Sequence, residues 1–297
     1  VMRLCRLLNE PAHGCAGSFS SRHRRMTHAL CDASWLELHF EACRAEYELL
    51  LDHAGLQRGW RVLDAGCGVG TYLESLSTRV APDGVVVGCD LDATNAAAAH
   101  ARRTPRGSRY DRVDCASVLA LPYADRSFEA VWCANVLQYL DDADVRTAIA
   151  QFRRVVRSGG LIALKDVDML QWHVEPGDPG LIVRLLEATR RLSDVAEEAN
   201  GAVRGAALES FLTAAGLERV QQRTVLIERS APIDATTRAM YASWLQSLGG
   251  MAAARHVGAN DLATWALLAQ PDHPEHPLNS ATFRAGETQV VATAIVP

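Results

Sequence analysis

Lysine is almost missing from this 297-residue chain: Lys165 stands alone among 30 basic residues, and arginine supplies the rest. With abundant alanine, this reflects a GC-rich coding sequence and is silent on mechanism. A net positive charge is lacking as well. A formal net charge of -5 and a pI near 6.1 give no basic field to hold nucleic acid or an anionic membrane surface. No apolar run reaches the roughly 18–20 residues that a bilayer-spanning helix needs. Metal-binding cysteine spacing is also missing. The eight cysteines (Cys5, Cys15, Cys31, Cys43, Cys67, Cys89, Cys115 and Cys133) form no CxxC pair and no CxxC…HxxxH pattern. Four fall in or beside strand-like segments, so the set reads as buried reduced thiols of a soluble, cytoplasmic protein with no bound metal.

What is present is enough apolar material, 48% of the chain, to bury one large core. Residues 1–27 carry five arginines against one acid and are broken by Pro11, Gly14 and Gly17. They are expected to be a non-core extension, leaving 28–297 as a single domain. Apolar spacing predicts a helix over 33–54, ended by Gly55. Strands are expected at 60–63, 85–90, weakly within 109–114, and at 128–134 and 161–167. Helices fall between them, at about Thr71 onward, through Asn95–Ala101 and over 145–156. This alternation implies long crossovers and a mostly parallel sheet. Beyond Asp168 the rhythm changes. A helix begins near Pro179 with a stripe through Ile182, Leu185, Leu186, Leu192 and Ala196, interrupted by Thr189. Another helix spans 203–215, a strand 218–229, two more helices 231–280, and a closing strand 288–296. The segments at about 170–202 and 231–280 are expected to be helical cap insertions.

The stretch VLDAGCGVG (62–70) sets three glycines behind an apolar run that ends at Asp64. A dinucleotide fold uses GxGxxG, with a third glycine that lets helix and strand pack. Here the spacing is Gly66-x-Gly68-x-Gly70, and Thr71 stands where that third glycine would be. A carboxylate at Asp64 suits a ligand with an ammonium group and not a diphosphate. S-adenosyl-L-methionine has that character, and the glycines let the backbone approach it closely.

At these residues the chain resembles class I S-adenosylmethionine-dependent methyltransferases, in particular the small-molecule branch that includes menaquinone-biosynthesis C-methyltransferases. VLDAGCGVG is similar to the first motif of that family and VGCDLD (87–92) to the second. LALPYADRSFEAVWCANVLQYLDD (119–142) and FRRVVRSGGLIALKD (152–166) resemble the segments around the fourth and fifth strands, with Ser158 in place of the usual proline. The likeness covers about 55–170 plus the closing strands. It implies an α/β, doubly wound, Rossmann-like methyltransferase sheet, mostly parallel with an antiparallel last strand and helical caps.

The resemblance also implies roles. Asp64 meets the methionine end of the cofactor and Asp90 the two ribose hydroxyls. Gly66, Cys67, Gly68, Gly70, Leu91, Ala134 and Asn135 line the rest. Counting back from the Leu-Pro pair lands on Ser117 where the family has an aspartate against adenine, so that contact falls to Asp114 or Ser117. Cys67 reads as a packed residue, and Asp166 and Asp168 as turn formers and not as metal ligands. Methyl transfer needs alignment more than a triad, and no triad is visible. His39, Tyr139, Trp172 and His173 are the acceptor-side candidates, with His173 as base, Tyr139 facing the cofactor, and His39 better suited to a core or capping role.

No Asn/Asp-Pro-Pro-Tyr element follows the fourth strand, where Asn135 precedes Val136 and Leu137. No Pro-Cys nucleophile or basic tract is present either, which argues against nucleic-acid substrates. The expectation is methyl transfer from S-adenosyl-L-methionine to a C, O or N atom of a small apolar or aromatic metabolite in specialised biosynthesis. The expected partner is that small molecule, with homo-oligomer formation left open. Two alternatives share the loop: a non-methylating cyclisation or rearrangement, and an NAD(P)-dependent oxidoreductase.

Overall fold

The computed structural model describes residues 32–102, 110–192 and 194–297. The expected extension at 1–27, three of the cysteines (Cys5, Cys15 and Cys31) and the first residue of the weak strand at 109–114 lie outside these. In chain order the elements are α1 (Ala33–Ala42), α2 (Arg44–Ala54), β1 (Arg61–Ala65), α3 (Leu73–Val80), β2 (Val85–Asp90), α4 (Ala93–Ala101) and β3 (Tyr110–Cys115). There follow β4 (Phe128–Ala134), α5 (Asp142–Val155), β5 (Val156–Val167), β6 (His173–Glu175), α6 (Leu181–Arg190), α7 (Ala196–Gly201) and α8 (Arg204–Ala214). The chain ends with β7 (Glu218–Ser230), α9 (Ala235–Ala254), α10 (Ala259–Leu268) and β8 (Arg284–Ile295).

One eight-stranded sheet holds the molecule together, in the order β3-β2-β1-β4-β5-β8, with β7 on the outer edge of β8. The first five strands are parallel. β8 runs antiparallel to β5, β6 and β7. The expected mostly parallel sheet with an antiparallel last strand is therefore present, and β8 is that strand, antiparallel to each of its three neighbours. β6 continues the β5 edge of β8 after a 3-10 turn at Met169–Gln171. At three residues, it is too short to leave a periodic signal.

Both faces of the sheet are covered. On one, α1, α2 and the later helices bury Tyr47, Leu50, Leu51, Trp132, Tyr241, Trp244 and Trp265 in a single apolar cluster. On the other, Val145, Ile149 and Phe152 of α5 and Leu208 and Leu212 of α8 pack on Leu63, Val131, Ile162 and Leu164. Alternate residues of each strand thus feed two cores, which is why the central strands read as nearly continuous apolar runs.

Several boundaries differ from expectation. The helix over 33–54 is two helices broken at Cys43, whose fully buried side chain faces the sheet. The stripe ending at Ala196 belongs to two helices. Thr189, 1% exposed, bonds back to the Leu185 carbonyl at 2.9 Å and the first helix stops at Arg190. β5 begins at Val156, which pairs with Phe128 before a bulge that contains the left-handed Gly159 carries the register to Ala130 and Leu161.

Candidate active site

β1, β2, β4 and β5 end side by side, and the chemistry-bearing residues gather there. Directly opposed residues in neighbouring strands share a face. Asp64 pairs with Trp132, Trp132 with Ala163, Ala134 with Lys165 and Lys165 with Val291. Asp64 and Lys165 therefore stand on one face, the one covered by α1 and α2.

The glycine loop lies at one end of that face. Gly66 adopts φ +78°, and a Cβ there would overlap the Val136 side chain. Loop and post-β4 turn fit only because this residue has no side chain. Gly68 N–H donates to Asp90 Oδ2 at 2.8 Å and Asp92 N–H to Asp90 Oδ1 at 2.9 Å. A carboxylate has about four lone-pair sites, so two remain open on Asp90. Leu91, 44% exposed, offers apolar surface beside it. Cys67 is buried, and burial pushes its thiol far above the ordinary range, as a packed residue requires.

Asp64 is the electrostatic anomaly. It is 1% exposed, and its Oδ2 is buried with no hydrogen-bond partner among the described residues. Burial, and then the neighbouring Asp90, push its carboxyl up to about 8. A site that destabilises its own carboxylate this way lacks a cation.

Further along, Asn135 holds φ +57°, a conformation that costs a non-glycine residue of order 1–3 kcal/mol and gathers at functional sites. Its amide oxygen accepts the Lys165 ammonium at 2.8 Å. That ammonium also sits 4.0 Å from the centroid of the Tyr47 ring, and Tyr47 stacks on Tyr72 with centroids 5.9 Å apart. Above it, His39 Nε2 lies 3.1 Å from Glu287 Oε2, and Cys43 Sγ donates to Glu287 Oε1 at 2.7 Å. The Tyr47 hydroxyl is 3.2 Å from His39 Nε2. Burial pushes the Glu287 carboxyl up, but His39, Cys43 and Lys165 outweigh it and hold it below the ordinary range. Burial lowers Lys165 from its ordinary value, against the pull of Glu287 and Asp166. His39, Cys43 and Glu287 offer ligand atoms within 4.8 Å of one another. A divalent ion there would have to displace the shared protons against the charge of Lys165.

The remaining candidates are dispersed. Asp166 points to the opposite face, where Oδ2 takes the Gln138 N–H and Oδ1 the Val167 N–H, both at 3.0 Å. This clamps the 3-10 turn Leu137–Tyr139 and with it Tyr139. Asp168 Oδ1 accepts Leu170 N–H and caps the next turn. Asp114 receives Arg112 Nε at 2.9 Å and the Tyr123 hydroxyl at 3.0 Å. The Ser117 hydroxyl oxygen accepts Leu119 N–H at 3.2 Å. His173 pairs with Gly286, and its ring fills the space that a Gly286 side chain would take. It also lines an apolar cavity of about 140 Å³ with Trp172, Leu181, Ile182, Leu245 and Trp265. Since Gly286 and Glu287 are successive strand residues, His173 and Glu287 lie on opposite faces.

Sequence reading missed Lys165, Glu287, Cys43 and Tyr47 as one group. Only Lys165 left a trace, as the single lysine of the chain set in an apolar strand.

Residues 62–160 match a family described as a methyltransferase domain. Methyltransferase GfsG of Streptomyces halstedii is 31% identical over 138 residues, 46% of this chain and 48% of that protein. The ubiquinone/menaquinone biosynthesis C-methyltransferase UbiE of Xanthomonas oryzae pv. oryzae is 34% identical over 119 residues, 39% of this chain and 46% of that protein. The chain spans about half or less of the length of these relatives. A putative type II methyltransferase from Anaeromyxobacter dehalogenans superposes with a TM-score of 0.53 at 21% identity, covering 85% of this chain and 96% of that one, a likeness of fold.

Proposed function

Residues 62–160 of this chain match a methyltransferase domain, and from that premise we propose that the protein is a class I S-adenosylmethionine-dependent methyltransferase that transfers a methyl group to a small apolar or aromatic metabolite. S-adenosyl-L-methionine supplies an electrophilic methyl carbon on a sulfonium, so the protein's task is to align it with an acceptor, worth roughly 7–11 kcal/mol.

The observation that carries the reading is the unpartnered Asp64 oxygen. An ammonium answers a buried carboxylate, and a diphosphate does not. Asp90 keeps two lone-pair sites for ribose hydroxyls, and Leu91 provides a flat apolar contact for the base. Asp114, pinned by Arg112 and Tyr123, keeps lone pairs for an exocyclic amine, while the Ser117 oxygen is turned to its own turn. Gly66, Gly68, Gly70, Cys67, Ala134 and Asn135 shape the channel between them.

The acceptor side is apolar. The cavity of about 140 Å³ matches the volume that holds a benzene-sized group. Trp172 lines it and meets Trp244 at 4.6 Å between centroids, and Tyr241 lies next in that aromatic series. His173 belongs to the wall of this cavity. We infer that His39, which faces Glu287, accepts the proton where the acceptor must lose one. The test is to supply S-adenosylmethionine with an isotopically labelled methyl and a panel of phenols, enolisable ketones and amines. Label recovered in one acceptor class supports the reading, and no transfer to any of them counts against it.

A further inference from the structure

The group beneath α1 has features of a binding site and not of a structural ion pair. Lys165 is 1% exposed, and its hydrogen bond goes to an amide oxygen, so the buried charge has no contacting carboxylate among the described residues. Moving two charges out of water costs more than their attraction usually returns, and apolar residues of similar volume hold a fold equally well. Around the group, polar atoms are left open. Both amide atoms of Gln289, two residues from Glu287 on the same face of β8, are buried without a hydrogen-bond partner among the described residues, and so are the hydroxyls of Tyr72 and Tyr241. Gln289 is fully buried and Tyr241 is 2% exposed. A closed structural network would have satisfied these atoms.

The position is as telling as the composition. Lys165 on β5 and Asp64 on β1 share a face with only β4 between them and are staggered by two residues along it, a separation of roughly 12 Å at the usual strand spacing and rise. An acceptor lying over β5 and β8 would meet a ligand held by Asp64 from the side.

We propose that Lys165, Glu287 and His39 form the acceptor-recognition site, and that the acceptor it selects presents an acidic oxygen, a phenol or an enol, which binds as the oxyanion at the Lys165 ammonium. This rests on the methyltransferase reading of the adjoining loop. Charge balance favours an acceptor that arrives neutral. A permanent carboxylate would bring a second negative charge beside Glu287. An acidic hydroxyl leaves its proton in the site and its electron pair on oxygen, so the total charge is unchanged. With Glu287 ionised, the neutral form of His39 donates its Nε2–H to that carboxylate and keeps Nδ1, 3.5 Å from the Tyr47 hydroxyl, as the basic nitrogen. The acceptor O–H bond breaks, its proton passes to His39 Nδ1, and the oxyanion stands against Lys165. The pair on that oxygen, or on the carbon conjugated to it, forms the bond to methyl while the C–S pair leaves with sulfur.

Two probes test this without turnover. With S-adenosylhomocysteine present, 4-nitrophenol represents phenols and dimedone represents enols, and the absorbance of each reports ionisation on the protein. The wild type is expected to bind at least one of them with its apparent pKa lowered by a unit or more. Lys165→Met should abolish that shift or weaken binding tenfold or more while S-adenosylhomocysteine affinity stays within about threefold. Glu287→Gln, which keeps hydrogen-bonding capacity and removes a negative charge, should lower the bound pKa further, and it serves also if Lys165→Met fails to fold. Intact S-adenosylhomocysteine binding with no probe bound, or with equal ionisation in wild type and both variants, overturns the acceptor site alone. Failure of the wild type to bind S-adenosylhomocysteine overturns both readings together.

Discussion

Asp90 accepts the backbone N–H of Gly68 at 2.8 Å and so ties the tip of β2 to the middle of the glycine loop. The same carboxylate is the group proposed to hold ribose hydroxyls. Asp90→Ala removes loop anchor and ligand acceptor together. Hydrogen bonds to charged groups contribute about 1.5–3 kcal/mol each, so S-adenosylhomocysteine affinity should fall at least tenfold by calorimetry. Asp90→Asn keeps one acceptor and should fall between. Unchanged affinity in Asp90→Ala would remove the ribose assignment.

Asp64 yields a prediction of opposite sign for stability and binding. Its carboxyl sits near 8 in the folded chain, against an ordinary value of 3.8. The unfolded chain releases that proton more readily, so stability falls as pH rises from about 4 to 8. At pH 7 the cost is on the order of 4 kcal/mol. Asp64→Asn removes that cost and leaves an unpaired amide worth about 1–3 kcal/mol. The variant should melt higher than wild type at pH 7 and bind S-adenosylhomocysteine far more weakly. A lower melting temperature with unchanged binding would show that Asp64 is an ordinary structural carboxylate.

The same carboxyl sets a pH dependence of binding. The ligand's ammonium needs Asp64 ionised, so binding below pH 8 must release its proton. Affinity should rise toward tenfold per pH unit between pH 6 and 8. It should then turn down as the ligand's amino group, with a pKa of roughly 8 for an α-amine, loses its own proton. Calorimetry in buffers of different ionisation enthalpy counts the released proton; a flat profile from pH 6 to 8 would contradict the pairing.

Gly66→Ala tests the loop geometry. The added methyl would meet Val136, and the φ of +78° is unfavourable for alanine. Strain of about 1–3 kcal/mol and overpacking of about 1–3 kcal/mol should lower the melting temperature by several degrees. Gly55→Ala shares the positive φ but has nothing within 4 Å, so it should lose only the strain part. Equal losses in the two would show that Val136 does not crowd the loop.

Arg204 secures the turn after β4 from beneath. Its side chain, 3% exposed, pairs with Asp142 at 2.7 Å and donates to the Leu140 carbonyl at 2.9 Å. Arg204→Ala leaves that carbonyl without its donor and should cost about 2–4 kcal/mol. Because the same turn carries Asn135 and Tyr139, hydrogen exchange across 135–140 should quicken. Protected amides there would mean that the clamp is unnecessary.

Those parts of the site that lie in one stretch of chain were legible in the sequence. Asp64, Gly66, Gly68 and Asp90 sit where apolar runs stop, and a strand end followed by glycines identifies itself locally. The His39–Glu287 contact joins residues 248 positions apart, and no periodicity or spacing announces such a pair. Cys43 read as one more residue of a helix because its break has neither proline nor glycine. Thr189 read as an interruption of an apolar stripe, although its hydroxyl satisfies itself on Leu185 and lets it be buried. The acceptor side depends on register between β5 and β8, which only the folded sheet supplies.

The most direct measurement is a calorimetric titration of the purified chain with S-adenosylhomocysteine and, separately, with NAD(H). A cofactor site built on Asp64 and Asp90 should bind S-adenosylhomocysteine at micromolar or tighter concentration and ignore NAD(H), whose diphosphate would face the Asp64 carboxylate. Tight NAD(H) binding with no S-adenosylhomocysteine binding would contradict it outright.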